Sequence, residues 1–412
     1  MPNFPTPLLF DSISKNTGDI AIGIAARQLL EKRGVTTSVP SPFEADLVGP
    51  AVIGGGELIR LSGDEFYDAF RREGPHILNA SGIWTSADHL SYLNDYAFVS
   101  ARSSREVEVL QQSVPDARLL PCATTLLESP RFDLAGTASG EPLVGIHLAP
   151  HALRLIEDIV EIVDRIPYRK VFIPFTHYNR DRSFMASLPF NMSNAVLLDD
   201  LQPLELHSII GQLKYLIATS LHASIFAFSQ NVPFASIYQK KVGYYFSDRG
   251  LGEHVVDNGD ALRTIIQRFD TEPADFSALI AADRDAVNTA FDSYADIIHS
   301  AKPAPATFQY PQSVQTQSDN KVISEQTKHV IHDRDLAIAM AEARRRLYVG
   351  ELAAERTSRM QAEETLARTE AALQRANSEL QAINAQLQHI RSRWYVRALL
   401  ATRRYLLRLF KK

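Results

Sequence analysis

Ser220 and His222, followed one strand later by Lys240 and Lys241, are the residues of this chain whose types and spacing best suit chemistry. Residues 217–241 read as a short buried strand, a polar loop, an apolar helix and a second strand that ends in lysines. The loop places Ser220 and His222 where the helix begins. A helix N-terminus presents free backbone N–H groups that attract anions. A histidine there can move protons near neutral pH, or can serve only as a hydrogen-bonded cap. Lys240 and Lys241 follow the next strand, so they should emerge at the same sheet edge, where open α/β sheets bind ligands. The expectation is an anion-binding pocket with a titratable group.

Four other loops carry suitable residues. Asn16, Gly18 and Asp19 precede a helix; capping and turning would explain their spacing as well as function does. Gly54, Gly55 and Gly56 follow a strand and let the backbone approach a ligand closely. Glu57 would then face the cleft. Arg102 and Arg105 follow another strand, and arginine binds carboxylate and phosphate in a bidentate fashion. His177, Arg180 and Asp181 lie in a polar loop after a further strand and could contact sugar hydroxyls or an anionic donor. No His-Glu-x-x-His, Cys-x-x-Cys, Gly-x-x-x-x-Gly-Lys-Ser/Thr or Gly-x-Ser-x-Gly pattern occurs, which argues against structural zinc, P-loop hydrolysis and lipase-type acyl transfer.

Elements of alternating type must position these loops. Strands are predicted at 8–10, 46–53, 76–80 and 96–100, with helices over 20–33 and 104–112. After a linker rich in small residues at 134–142, strands are predicted at 143–148, 170–174, 195–198 and 215–218. A helix is predicted over 153–166, and 257–300 is mainly helical and should close this part. Two alternating halves imply two Rossmann-like domains facing a cleft, at 1–135 and 142–300. A spacer with Pro303, Pro305 and Pro311 follows at 301–322. Residues 323–390 read as a helical coiled coil. Leu366, Leu373, Leu380 and Leu387 recur every seven residues, each followed three positions later by Thr369, Ala376, Ile383 and Ile390.

The end of the chain is different again. Residues 391–412 carry eight basic residues and no acid, so the net charge of −5 resolves into +8 there and −13 elsewhere. Val396, Leu399, Leu400, Leu406, Leu407 and Phe410 share one helical face, with Arg393, Arg397, Arg404, Arg408 and Lys411 on a neighbouring flank and Arg403 interrupting the apolar side. This is the pattern of a basic amphipathic helix lying on an anionic membrane surface. An acidic body with a basic end argues against general nucleic-acid binding. The single cysteine, Cys122, excludes an intrachain disulfide and fits a reducing compartment. With no signal-peptide pattern and no apolar run long enough to span a bilayer, the expected location is the cytoplasm, peripheral at the inner face of the membrane.

Four stretches, taken in order, resemble the polysaccharide pyruvyl transferases over roughly residues 7–260. They are Asn16-Thr-Gly-Asp19, Val52-Ile-Gly-Gly-Gly56, Ala101-Arg-Ser-Ser104, and Ser220-Leu-His-Ala-Ser-Ile-Phe-Ala followed by Asn231-Val-Pro and Tyr238-Gln-Lys-Lys241. Two departures stand out: many members carry arginine where Ser220 stands and aspartate near Cys122. The resemblance implies a two-domain, glycosyltransferase-B-like fold and a transferase that takes phosphoenolpyruvate as donor substrate, with no cofactor and no metal. A sugar of a surface or extracellular polysaccharide, free or lipid-linked, would be the acceptor, and the product a pyruvate ketal. His222 would be the proton donor and Asp19 or Glu57 the base. Arg102, Lys240 or Lys241 and the helix N-terminus would hold the donor's charges. Asn16, Gly18, Gly55, Gly56, His177, Arg180, Asp181 and Ser220 complete the expected substrate-binding set. Two alternatives stay open: a nucleotide-sugar glycosyltransferase of similar form, and a catalytically inactive glycan-binding scaffold. Under each reading residues 360–390 should self-associate, as a parallel dimer.

Overall fold

The computed structural model describes residues 5–43, 47, 49–134, 137, 140–176, 180–199, 201–272, 274–301, 368–389 and 393–407. Each half of residues 1–301 is built on a six-stranded sheet in which every pairing is parallel. In the first, Thr6–Leu9 lies between Thr37–Ser38 and Val52–Gly54, and Ile77–Ser81, Phe98–Ala101 and Arg118–Leu119 follow outward. In the second, Leu143–His147 lies between Arg169–Phe172 and Tyr215–Ala218. Ala195–Leu197 closes one edge, and Phe234–Ile237 and Val255–Val256 the other. Chain order across this second sheet is 3-2-1-4-5-6, the dinucleotide-fold order.

In such sheets the chain reverses its direction of growth at one pair of strands, and the carboxyl ends there leave a crevice. The pairs are Thr6–Leu9 with Val52–Gly54 in the first half, and Leu143–His147 with Tyr215–Ala218 in the second. The two crevices meet. Asn16 and Thr176 form an isolated antiparallel bridge, and the Thr17 amide donates to the Phe175 carbonyl at 3.1 Å. Below this contact one apolar cluster joins the halves, running from Ala25 and Leu29 through Ala123 to Phe226, Phe228 and Phe291. The helix Leu221–Ser229 is buried along its whole length. A helix apolar all round belongs in a core, so only its N-terminal end meets the crevice.

Two elements differ from expectation. The predicted helix over 153–166 is two short helices, His151–Leu155 and Ile159–Asp164. The break leaves Asp158 paired with Arg263 of the helix Gly259–Thr271. The helix Ser277–Ser300 does not simply close the second half. Its first turns serve that half: Asp283 pairs with Arg249 at 2.7 Å, and Arg284 donates to the Ser229 carbonyl. Its later turns cross to the first half. Asp292 pairs with Arg33 at 2.7 Å, Tyr294 packs edge-on to Phe98, and its hydroxyl donates to Asn79 Oδ1 at 3.3 Å. Tyr294 and Phe291 are fully buried there, and that burial is why the helix crosses.

Residues 340–412 form a separate unit, in which 368–389 and 393–407 are helical. Leu366 and Ile390 lie outside the described residues. The described seam residues Leu373, Leu380, Ile383 and Leu387 are all more than half exposed. A repeating apolar stripe left open on a helix is relieved by a second helix. The full chain is therefore expected to sediment as a dimer, and Leu380→Lys with Leu387→Lys as a monomer. Identical sedimentation of the two at micromolar concentration would remove the seam's role.

Candidate active site

The crevice collects residues from four of the five loops. Asn16 caps the helix Thr17–Glu31 through its side chain, which accepts from the Gly18 amide at 3.1 Å. This fixes the first turn, and Gly18 then meets His222 from the other half. A β-carbon at Gly18 would lie 2.1 Å from His222 Nδ1, so the imidazole rests directly on the glycine backbone. Two motifs 204 positions apart are thus halves of one contact. Gly54, Gly55 and Gly56 all have positive φ, between 65° and 130°. L-side chains rarely adopt that conformation, and here it wraps the strand end around the first helix. A β-carbon at Gly55 would strike Ile22, and one at Gly56 would lie 2.6 Å from Asp19 Oδ1.

Behind this surface lies a charge cluster. Glu57 Oε1 receives Lys241 Nζ at 3.0 Å and Arg102 Nη2 at 3.3 Å, and Glu57 Oε2 lies 3.4 Å from Arg60. Arg102 is buried and also meets Glu106 at 3.4 Å. Lys241 comes from the first turn of the helix Lys240–Ser247 and keeps part of its surface open. Lys240 is exposed, while Arg105 pairs with Glu108 at the surface.

The electrostatics divide the roles. Burial, joined by the nearby Asp11 charge and opposed by Lys241, raises the Asp19 carboxyl to about 7. Burial also pushes Glu57 upward, but Lys241 and Arg102 together overcome it and hold that carboxyl at about 2. Glu57 is therefore a fixed anion, and Asp19 alone of the two can exchange a proton near neutral pH. His222 is lowered to about 3, by burial first and then by Arg102 and Lys241. Its imidazole is neutral at pH 7 and makes no hydrogen bond to a described residue.

The remaining expected residues fall elsewhere. Ser220 caps the helix Leu221–Ser229, accepting from the Ala223 amide at 3.5 Å. Asp181, expected to touch substrate, is fully buried instead. One of its oxygens accepts from the amides of Phe175 and Thr176 at 2.6 Å each and meets His147 Nε2 at 3.0 Å. Its charge is consumed in bracing the strand ends. Arg180, in left-handed backbone with φ 52°, is exposed beside it, and His177 lies outside the described residues. Cys122 is buried, its amide donating to the Tyr245 hydroxyl at 3.4 Å, and burial raises its thiol.

Two histidines here are not singled out by the sequence. His147 ends the strand at the second crevice, and its Nδ1 meets Thr219 Oγ1 at 2.9 Å. His151 opens the next helix and contacts Gln239, whose amide nitrogen donates to the Thr219 carbonyl at 3.0 Å. The usable signal was their position just after the first strand of the second half. Among the described residues no group of three or more His, Cys, Asp and Glu could hold a metal ion.

An acidic group, a neutral imidazole and cationic groups thus meet at the facing crevices of a two-sheet α/β protein. The chain belongs to the polysaccharide pyruvyl transferase family, whose model matches residues 16–241, from Asn16 to Lys241. No curated protein matches it significantly. Among solved structures it is similar to a functionally uncharacterised protein of Klebsiella pneumoniae, at 12% identity over 61% of this chain and 91% of that one, with a TM-score of 0.36. It is also similar to the ADP-heptose lipopolysaccharide heptosyltransferase II of E. coli, at 11% identity over 66% and 100%, with a TM-score of 0.32. A third is the UDP-GlcNAc 2-epimerase of Methanocaldococcus jannaschii, at 13% identity over 68% and 80%, with a TM-score of 0.37.

Proposed function

We propose that this protein transfers the pyruvyl group of phosphoenolpyruvate to two hydroxyls of one sugar in a polysaccharide, forming a cyclic ketal. The observation that carries this reading is the meeting of Asp19, Glu57, Lys241 and His222 inside the segment that matches the family. The donor's methylene takes a proton, its central carbon takes a sugar oxygen, inorganic phosphate leaves, and the second hydroxyl closes the ring. The second hydroxyl's proton and the first leave to base, so one donor and one diol yield one ketal and one phosphate. Asp19, with its carboxyl near 7, is suited to give the first proton and to take a later one. His222 is the less favoured assignment for proton donor, because burial with Arg102 and Lys241 keeps its imidazole neutral. A bound phosphate would favour its protonated form. Lys241 and the free amides at the start of Leu221–Ser229 supply positive potential for the donor's charges, in place of the arginine that many members carry at Ser220.

The test is phosphate release by the full chain from phosphoenolpyruvate, with a panel of pyranosides bearing 4,6- or 3,4-diols. The expected result is release that requires both substrates, with a new ketal methyl signal in the proton spectrum. Turnover of a nucleotide sugar without phosphoenolpyruvate would replace this reading with glycosyl transfer. No turnover of either donor would favour a glycan-binding scaffold.

A further inference from the structure

The helix over 393–407 presents large apolar side chains that are exposed. Trp394 is 68% exposed, Leu399 64% and Leu407 54%, and Tyr395, Val396, Leu400, Tyr405 and Leu406 are exposed as well. At 100° per residue, Arg393, Arg397 and Arg404 fall within a stripe about 40° wide, and Arg403 lies outside it, between Leu399 and Leu407. Tyr395, Leu399 and Leu406 lie on the opposite side, and Trp394 with Tyr405 flanks the stripe on one edge.

This face is not a continuation of the heptad seam. Carrying the seam forward from Leu387 and Ile390 reaches Trp394, Arg397, Ala401, Arg404, Arg408 and Lys411. Seam positions that would face a second copy upstream thus turn basic at Arg397 and Arg404, and Leu399 and Leu406 lie off the seam. A parallel partner helix in the same register would bring like charges together at 397 and 404. The occupant must instead offer negative charge beside an apolar medium. A nucleic acid supplies the charge but leaves Leu399 and Leu406 in water. The acidic remainder of the chain, at −13, is repelled from any anionic surface, so contact is confined to this end.

We propose that the helix over 393–407 lies in the plane of an anionic lipid bilayer. Tyr395, Leu399 and Leu406 enter the acyl boundary, the arginine stripe faces the headgroups and water, and Trp394 and Tyr405 sit at the interface. No helix among the described residues is long and apolar enough to cross a membrane, which fits docking in the plane.

The experiment uses the full chain carrying Trp84→Phe, which leaves Trp394 as its one tryptophan. Vesicles of phosphatidylcholine alone are compared with vesicles of phosphatidylcholine and phosphatidylglycerol, whose surface is negative like that of a cytoplasmic leaflet. The anionic vesicles should shift Trp394 emission to the blue and carry the protein into the pellet. Higher salt should weaken both effects. Arg397→Glu with Arg404→Glu should weaken binding roughly 30-fold or more, from the contribution of each basic residue near a charged surface. Leu399→Asp with Leu406→Asp should abolish the blue shift while the dimer and the melting curve of the catalytic halves persist. Equal partition into neutral vesicles would overturn the proposal. Binding that survives the two aspartates would overturn it too, as would a Trp394 shift produced by duplex DNA and by no vesicle.

Discussion

Asp19→Asn is expected to stop pyruvyl transfer and to make the protein more stable at pH 8. The activity loss should be at least about 100-fold in kcat, the usual effect of removing a proton-transfer group. The stability gain follows from the sign of the shift. The folded protein holds the Asp19 proton up to about pH 7, chiefly because burial disfavours the anion, whereas an unfolded aspartate releases it near 3.9. The stability linked to that proton is complete below the unfolded value and is lost as pH rises through the folded one. At pH 8 the native protein carries a buried anion that asparagine removes. The gain is bounded at about 4 kcal/mol, three pH units at 1.36 kcal/mol each. Denaturant melts should show the two proteins diverging from about pH 4 and running parallel above pH 7. A constant gap from pH 4 to 9 would show that Asp19 titrates normally.

Gly18→Ala should inactivate the enzyme and destabilise it, although alanine in a helical first turn is ordinarily favourable by up to about 1 kcal/mol. The new β-carbon would meet the His222 ring at 2.1 Å, a clash that costs about 1–3 kcal/mol where a core is overpacked. In a His222→Gly background both the ring and the His222 β-carbon, which would lie 2.6 Å from the new one, are gone, so the same substitution should become neutral or stabilising. This reversal of sign measures the contact between the two halves without relying on catalysis. Additive effects, within about 0.5 kcal/mol, would mean that the helix and the imidazole do not meet. His222→Ala alone should lower turnover with little change in the melting curve.

The sequence displayed the loops of this site more clearly than their relations. Asn16, Gly18, Asp19, the three glycines and Arg102 all sit where strand-to-loop patterns predict them. A strand's apolar run ending in glycine or a polar cap is a local signal. Which loop touches which is not local. The Gly18–His222 contact depends on two crevices facing each other. The ion pairs that make Glu57 an inert anion and leave Asp19 to titrate depend on Lys241 arriving from the other half. Asp181 looked like a ligand because it follows a strand in a polar loop, and nothing local distinguishes a carboxylate facing out from one turned inward onto backbone amides. His147 and His151 are not legible because their stretch, His147-Leu-Ala-Pro-His151, has no unusual composition. The helix Ser277–Ser300 was assigned to the half it follows, since its apolar positions do not reveal that Tyr294 finds its partners at Asn79 and Phe98.

That crossing helix has a consequence for synthesis on the ribosome. The first half's sheet is complete once Arg118–Leu119 has emerged, yet the surface around Asn79 and Phe98 waits for Tyr294. Roughly 170 residues separate Leu126 from Tyr294, a delay of about 10–30 s at ordinary elongation rates. Throughout that interval the nascent chain shows an apolar patch that only its own late segment can cover. A chain released at residue 276 would keep that patch permanently, and the first half made alone would be a sticky fragment rather than a working domain.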